Sequence, residues 1–215
     1  MKKMNANKKQ MIALILNLIV IVMEIIGAVM SARKHGAAMF QFYTEDSNIF
    51  ALLACSIFAV VSILNLAHGK TEIPKWVHIL KYIAACCLTV TFVVVICVLA
   101  PTLGPGGYTE MLLQGSMLYH HFLCPVLVVI SFLFFERGPQ LDKKCRFYAV
   151  IPTIIYAAAS ILLNILKVMD GPYPFLHVFE QPIYMSALWC AVILGGAYLF
   201  AWLIWKLNGK VRSGR

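Results

Sequence analysis

The chain has 215 residues, of which 61% are hydrophobic and 13% are charged, and its mean hydropathy is +0.83. Soluble domains average about 45–50% apolar and about 25% charged residues, so this composition excludes a disordered chain and argues against a soluble globule. The net charge of +9 is typical of nucleic-acid binding proteins, but the positions of the basic residues explain it differently. We predict no nucleic-acid partner.

Six stretches of the chain are long and apolar enough to cross a bilayer, which requires about 20 mostly apolar residues. They are 10–31, 46–67, 79–100, 117–135, 146–168 and 184–206. Since backbone polar groups in lipid must be satisfied internally, each stretch is predicted to be a helix. The connections are short, so we predict one all-α domain over 1–215, an integral membrane bundle of six transmembrane helices.

The basic residues predict the orientation of this bundle. Fifteen of the 18 lysines and arginines, Lys81 among them, fall in segments on the side of the N-terminus, and 136–144 forms a basic turn there. Loops rich in Lys and Arg stay in the cytoplasm, so both termini are predicted to be cytoplasmic, in a multi-pass protein of the cell membrane. The first apolar stretch is longer than a signal-peptide core and is predicted to be an uncleaved helix.

Glu24 is a carboxylate inside the first predicted helix. A charge at membrane depth is costly and by default indicates function. We expect Glu24 either to be protonated or to face a polar partner, with His120 and His121 as candidates. A purely structural buried acid is the alternative.

The start of the second helix carries several polar residues. Thr44 and Asn48 are four residues apart, so on a helix they share a face, and Ser47 lies beside them. This pattern is typical of a hydroxyl nucleophile or ligand donor with a neighbouring amide. Helix capping is the alternative, and it accounts well for Glu45 and Asp46.

The start of the fourth helix carries adjacent histidines, His120 and His121, followed by Cys124 and Pro125. Histidine titrates near neutral pH and serves as a general base. Pro125 has no N–H, so in a regular α-helix it frees the carbonyl of His121. Two alternatives stay open: ordinary interfacial histidines, and a Cys–His nucleophile, although buried thiols are usually inert.

The last connection, with Asp170, Tyr173 and His177, is a rigid aromatic turn containing prolines. It is either a lid over a site or a plain membrane-surface turn. Alternating topology places it at the same end of the bundle as Thr44 and the histidines, and we expect any site to lie there. Seven cysteines without a CxxC pair, and histidines without ligand spacing, predict neither a metal nor a cofactor.

Three short motifs carry a resemblance to a known family. Tyr-Thr-Glu-Asp-Ser-Asn at 43–48, His-Phe-Leu-Cys-Pro at 121–125 and Pro-Tyr-Pro-Phe-Leu at 172–176 are similar to the bacterial six-helix membrane family Pr6Pr. More distantly, they resemble the androgen-induced and androgen-dependent threonine hydrolases of eukaryotes, which cleave fatty acid esters of hydroxy fatty acids. The resemblance implies that Thr44 is the nucleophile. The bacterial spacing selects His121 as its partner, and the eukaryotic spacing selects His120.

We therefore expect a hydrolase of membrane lipid or fatty-acid esters. The Thr44 hydroxyl would attack the ester while His120 or His121 accepts its proton, with Asn48 and Tyr173 donating to the oxyanion. The rival hypothesis is a non-enzymatic binding protein or small transporter that uses Glu24 and the same polar residues. Few polar residues are evident in the inner halves of the helices, which argues against transport. A scaffold without a site is a third possibility, and the sequence predicts no oligomeric state.

Overall fold

The computed structural model describes residues 6–213 and is helical throughout, with no strand in that range. It contains six helices that are long and apolar enough to cross a membrane, and the expectation of a polytopic all-α membrane protein is confirmed. The helices are α1 Ala6–His35, α2 Tyr43–Ala67, α3 Lys75–Thr102, α4 Gly115–Phe135, α5 Cys145–Ile165 and α6 Ile183–Ser213.

The beginning of α2 differs from the sequence-based boundary. A 3-10 turn, Gly36–Gln41, continues α1, and the extended backbone of Phe42 then allows α2 to begin at Tyr43 instead of residue 46. Thr44 therefore lies in the first turn of a helix and not in a preceding loop. Glu45 also lies in that turn, where a negative charge favours the helix dipole.

Four helices form the centre of the bundle, and the other two lie outside it. α1 packs against α2 and α4, and α3 packs against α2, α4 and α6. α5 makes few contacts with the rest of the chain. Two hydrogen bonds hold it to the beginning of α2: Tyr156 Oη donates to the Gln41 carbonyl at 2.6 Å, and the hydroxyls of Tyr43 and Thr153 are 2.9 Å apart.

The connections meet at opposite ends of the bundle. The odd-loop end carries residues 36–42, 103–114 and 166–182, and there the backbone N–H of Thr44 lies 3.4 Å from Tyr173 Oη. The even-loop end carries 68–74 and 136–144, which are joined by a hydrogen bond from Ile73 N to the Arg137 carbonyl. All of the predicted site residues except Glu24 belong to the odd-loop end by their position in the chain.

α4 contains a π-helical turn, Leu118–Leu123, immediately before Pro125. Its backbone follows an i to i+5 register, with Cys124 N–H donating to the Tyr119 carbonyl. The next carbonyl in that register belongs to His120 and faces Pro125, which has no N–H. The expectation that Pro125 frees the carbonyl of His121 is therefore wrong by one residue, because it assumed the α register.

A side chain from another helix satisfies this carbonyl. Asn48 Nδ2 donates to His120 O at 3.2 Å and to Thr44 O at 2.6 Å. α3 repeats the pattern before Pro101, where the hydroxyl of Tyr108 donates to the carbonyl of Ile96 at 3.2 Å. In both helices a proline imposes a register shift, and a distant side chain supplies the hydrogen bond that the proline cannot make.

Candidate functional site

The imidazole of His120 lies between two carboxylates. Its Nε2 is 3.4 Å from Glu24 Oε2 and its Nδ1 is 3.2 Å from Glu45 Oε2. These are ion-pair distances, and neither contact has standard hydrogen-bond geometry. The expectation of a histidine partner for Glu24 is met by His120, and Glu45 joins the pair although its position suggested a helix cap.

Two small residues of α1 make this arrangement possible. At Gly27 the ring of His120 lies so close to the backbone that a Cβ atom would be 2.3 Å from Nε2. One turn further, Ser31 Oγ donates to Glu45 Oε1 at 2.7 Å. We call His120, Glu24, Glu45 and Ser31 the His120 cluster. All four side chains are buried, so the charges that meet here are shielded from solvent.

His121 points in a different direction and has a different partner. Its Nδ1 lies 2.8 Å from the carbonyl of Met111, in the connection before α4. A carbonyl only accepts, so this contact places the N–H on Nδ1 and leaves the lone pair on Nε2. The nitrogen of His121 that remains to accept a proton is therefore Nε2.

Thr44 lies on another face of α2, beside Tyr173. The Tyr173 hydroxyl contacts both the backbone N–H and the side chain of Thr44. Burial raises the pKa of Tyr173 above its ordinary value, so its hydroxyl stays protonated and can donate. Within residues 6–213, no hydrogen bond joins the Thr44 hydroxyl to the imidazole of His120 or His121.

An apolar slot opens beside the Thr44 hydroxyl. Walls from α2, α3, α5 and α6 enclose it, and residues 173–176 cover one side. Aliphatic and aromatic side chains such as Val94, Trp189 and Leu194 line most of it. Its volume is about 50 Å³, so it is narrow in this structure. Its composition matches a hydrocarbon chain.

A larger cavity of about 550 Å³ lies on the other side of Tyr43 and Tyr156, between α2 and α5. Asp46, Ser47 and Ser160 contribute polar groups to it. Its volume is within the range of small-molecule sites, about 300–1,000 Å³. Tyr43 and Tyr156 line both this cavity and the slot, and their hydroxyls are held by the hydrogen bonds between α5 and residues 41–43.

The remaining predicted residues lie in different places. Ser47 is buried, and its hydroxyl donates to the Thr44 carbonyl and contacts Thr91 Oγ1. His177 bonds within its own turn, to Glu180 and the Gly171 carbonyl, and Asp170 is exposed. The turn therefore contributes Tyr173 to the Thr44 surroundings, while His177 has its partners elsewhere.

A second cluster of ionisable groups lies in the other half of the bundle, where none was expected. Lys81 Nζ is 2.7 Å from Asn17 Oδ1, 3.0 Å from Cys55 Sγ and 3.4 Å from Glu136 Oε1. The carboxylate of Glu136 also accepts from Asn17 and from Ser131. We call these five residues the Lys81 cluster.

The assignment of Lys81 to a cytoplasmic segment and of Glu136 to a basic turn did not predict that these two side chains are buried. Both side chains are 0% exposed. Each residue lies close to a helix end, where sequence alone favours a solvent-facing loop, but their mutual charge and the Asn17 amide make burial possible. A lysine followed 55 positions later by an isolated glutamate gives no local signal of such a pair.

Within the described part of the chain, no three His, Cys, Asp or Glu side chains are grouped to hold a metal ion. The two nitrogens of His120 point away from each other toward separate carboxylates, so the His120 cluster has no common centre. No family model, curated protein or solved structure matches this chain.

Proposed function

We propose that this protein is a membrane-embedded hydrolase of lipid or fatty-acid esters, with Thr44 as its nucleophile. The observation that supports this most is the position of Thr44, whose side chain lines an apolar slot among the transmembrane helices. An acyl chain in the slot would place its ester group beside the hydroxyls of Thr44 and Tyr173. The more distant resemblance of 43–48, 121–125 and 172–176 to the eukaryotic threonine hydrolases supports the same reaction.

The reaction divides into two balanced steps. Thr44 Oγ1 attacks the ester carbonyl and passes its proton to an imidazole, which returns it to the departing alkoxide as the alcohol leaves. The acyl group is then bound to Thr44, and a water molecule, deprotonated by the same imidazole, releases it as the fatty acid. The threonine hydroxyl is restored at the end.

His121 suits the role of base better than His120. Its Nε2 keeps a lone pair because Nδ1 bonds to the Met111 carbonyl. Both nitrogens of His120 face carboxylates, so neither is available to accept a proton from Thr44. Since the Thr44 hydroxyl now contacts Tyr173, the substrate has to separate these two side chains before proton transfer.

Tyr173 is the residue best placed to stabilise the oxyanion. Its hydroxyl is within reach of Thr44 and stays protonated. Asn48 was a second candidate, but its amide N–H groups donate to the carbonyls of Thr44 and His120. Asn48 therefore acts by holding α2 to α4, and not on the substrate.

The orientation in the membrane is part of the same proposal. The basic residues favour cytoplasmic termini in the cell membrane, which would place Thr44 near the extracytoplasmic face. A fluorescent protein fused to the C-terminus and tested for quenching by an impermeant reagent in intact cells measures this. Quenching without permeabilisation would contradict it.

Release of fatty acid by the purified protein in lipid nanodiscs tests the activity. We expect hydrolysis of fatty acid esters of hydroxy fatty acids, with losses of about 10²–10⁴-fold in Thr44→Ala and His121→Ala. Mass spectrometry is expected to find an acyl group on Thr44. Thr89→Ala is the matched control, because Thr89 bonds only to the Ala85 carbonyl of its own helix. Equal rates of fatty acid release by the wild type and both site variants would contradict the mechanism.

A second candidate, lipid binding without hydrolysis, is favoured by the absence of a bond between Thr44 and either imidazole among residues 6–213. Crosslinking with a photoactivatable fatty acid separates the two functions. Labels on Trp189 or Leu194 in a preparation that releases no fatty acid would identify a binding protein.

A further inference from the structure

The buried face of α1 carries a polar residue every seventh position. These residues are Gln10, Asn17, Glu24 and Ser31, and all four are buried. At 1.5 Å per residue they extend over about 31 Å, which equals the hydrocarbon thickness of a bilayer, about 30 Å. We call this row the α1 seam.

The other helices add ionisable groups along the seam. Glu45 and His120 surround Glu24 on the odd-loop side, and Lys81 and Glu136 surround Asn17 on the even-loop side. A buried thiol accompanies each cluster. Cys124 is beside Glu24, and Cys55 is beside Lys81. Lys81 and Glu24 interact electrostatically, so the clusters are close enough to influence each other's charge.

The charges of the seam do not balance without added protons. Three carboxylates, Glu24, Glu45 and Glu136, face one lysine. With His120 neutral, the bilayer interior would hold two uncompensated negative charges, and each unpaired buried charge costs several kcal/mol. Two protons bound within the His120 cluster remove this cost. The cluster is therefore a built site for exchangeable protons.

We propose that the α1 seam carries protons across the membrane, with Glu24 as the central carrier. A proton arriving from the odd-loop end binds Glu45 and passes to one nitrogen of His120, while the other nitrogen gives its proton to Glu24. Lys81 gives a proton to Glu136 and regains one from Glu24, and Glu136 releases its proton at the even-loop end. The ring of His120 then flips to restore its first tautomer, so that every group is again in its starting state.

Several buried polar atoms of the α1 seam, and one of Glu136 beside it, have no hydrogen bond to another protein group within residues 6–213. Both carboxylate oxygens of Glu24, Oε2 of Glu136 and both amide atoms of Gln10 are buried without a hydrogen bond. Unsatisfied ionisable groups inside a membrane mark ion and proton pathways.

Proton uptake into proteoliposomes tests this inference independently of any hydrolysis. A potassium gradient with valinomycin makes the lumen negative, and trapped pyranine reports its pH. We expect wild-type vesicles to acidify at least about tenfold faster than protein-free vesicles, since a positioned proton-transfer group contributes 10²–10⁴-fold. Glu24→Gln should remove most of this increase, and Glu24→Asp should restore part of it.

Glu110→Gln is the matched control, because Glu110 is exposed at the odd-loop end and undergoes the same change of side chain. It should conduct as the wild type does. Wild-type vesicles that acidify no faster than empty ones would overturn the inference, and this holds even if Glu24→Gln does not fold. Full conduction by a folded Glu24→Gln protein would overturn it as well.

Discussion

The backbone of Gly27 touches the imidazole of His120, and a methyl group at residue 27 would lie 2.3 Å from Nε2. This contact fixes how closely α1 approaches α4 and places the ring between its two carboxylates. Any side chain at residue 27 has to displace the ring, which separates it from Glu24.

Gly27→Ala should therefore destabilise the bundle, by about 1–3 kcal/mol as for other overpacked interiors. The measurement is made in mild detergent. It gives the temperature at which half of the protein no longer elutes as a monodisperse species. Gly195→Ala is the control, since a Cβ there meets nothing within 4 Å and alanine favours a helix over glycine. A Gly27→Ala protein as stable as the Gly195→Ala protein would show that the ring moves without cost.

Asn48→Ala should cost about 1–3 kcal/mol, because it leaves the buried carbonyl of His120 without its hydrogen bond. The proline supplies a sharper test than the single change. Pro125→Ala provides an N–H for the His120 carbonyl, so Asn48→Ala should cost less in that background, by at least about 0.5 kcal/mol. Thermal unfolding of the four proteins of this cycle measures the coupling. Strict additivity would contradict the hydrogen-bond assignment.

Lys81→Met should be among the most destabilising single changes, at about 3–5 kcal/mol, since it leaves the Glu136 carboxylate buried without its counter-charge. Adding Glu136→Gln should recover most of that loss, because the amide keeps an oxygen that accepts from Asn17 and Ser131. Unfolding in a detergent titration compares the proteins. A double variant no more stable than Lys81→Met would argue against a charge effect.

Leu194→Trp should block the slot beside Thr44. Leu194 lines this slot, and the indole ring of a tryptophan at this position would fill the space in which we propose that an acyl chain binds. Crosslinking by a photoactivatable fatty acid should fall several-fold, and any ester hydrolysis should fall with it. Leu188→Trp is the control, because Leu188 is on the same helix but 53% exposed. Equal labelling of both variants would place the lipid elsewhere.

Hydropathy alone predicted the six spanning helices, because in lipid a long apolar segment has few alternatives to a helix. The ends were less predictable. α2 begins three residues early because Phe42 takes an extended conformation, which depends on the 3-10 turn before it. α5 ends at Ile165, short of the predicted 168, where Lys167 adopts a positive φ.

The site was predictable where a single residue was unusual by itself. Glu24 in an apolar helix already implied a partner, and His120 is that partner. The separate directions of His120 and His121 depend on the π-helical register, in which Asn48 of α2 satisfies the carbonyl that Pro125 leaves free. The burial of Lys81 and Glu136 was not predicted, because hydropathy averages assign charges near helix ends to loops.

The seven-residue spacing on α1 was present in the sequence, but the apolar residues around it concealed it. Counting polar residues at intervals of seven along the helix would have found Gln10, Asn17, Glu24 and Ser31 on one face. Such a count still would not have shown which helices cover them, since the partners come from α2, α3 and α4.

The Lys81 cluster also affects the order in which the helices pack during synthesis. Ribosomes synthesise the chain from its N-terminus, so Asn17 and Lys81 enter the bilayer well before Glu136 exists. Until that residue emerges, the lysine has no counter-charge, and the first three helices cannot settle into their final arrangement. Packing of the central bundle is thus completed only after the end of α4 has been made, when Lys81 has its counter-charge, and α5 and α6 are added afterwards.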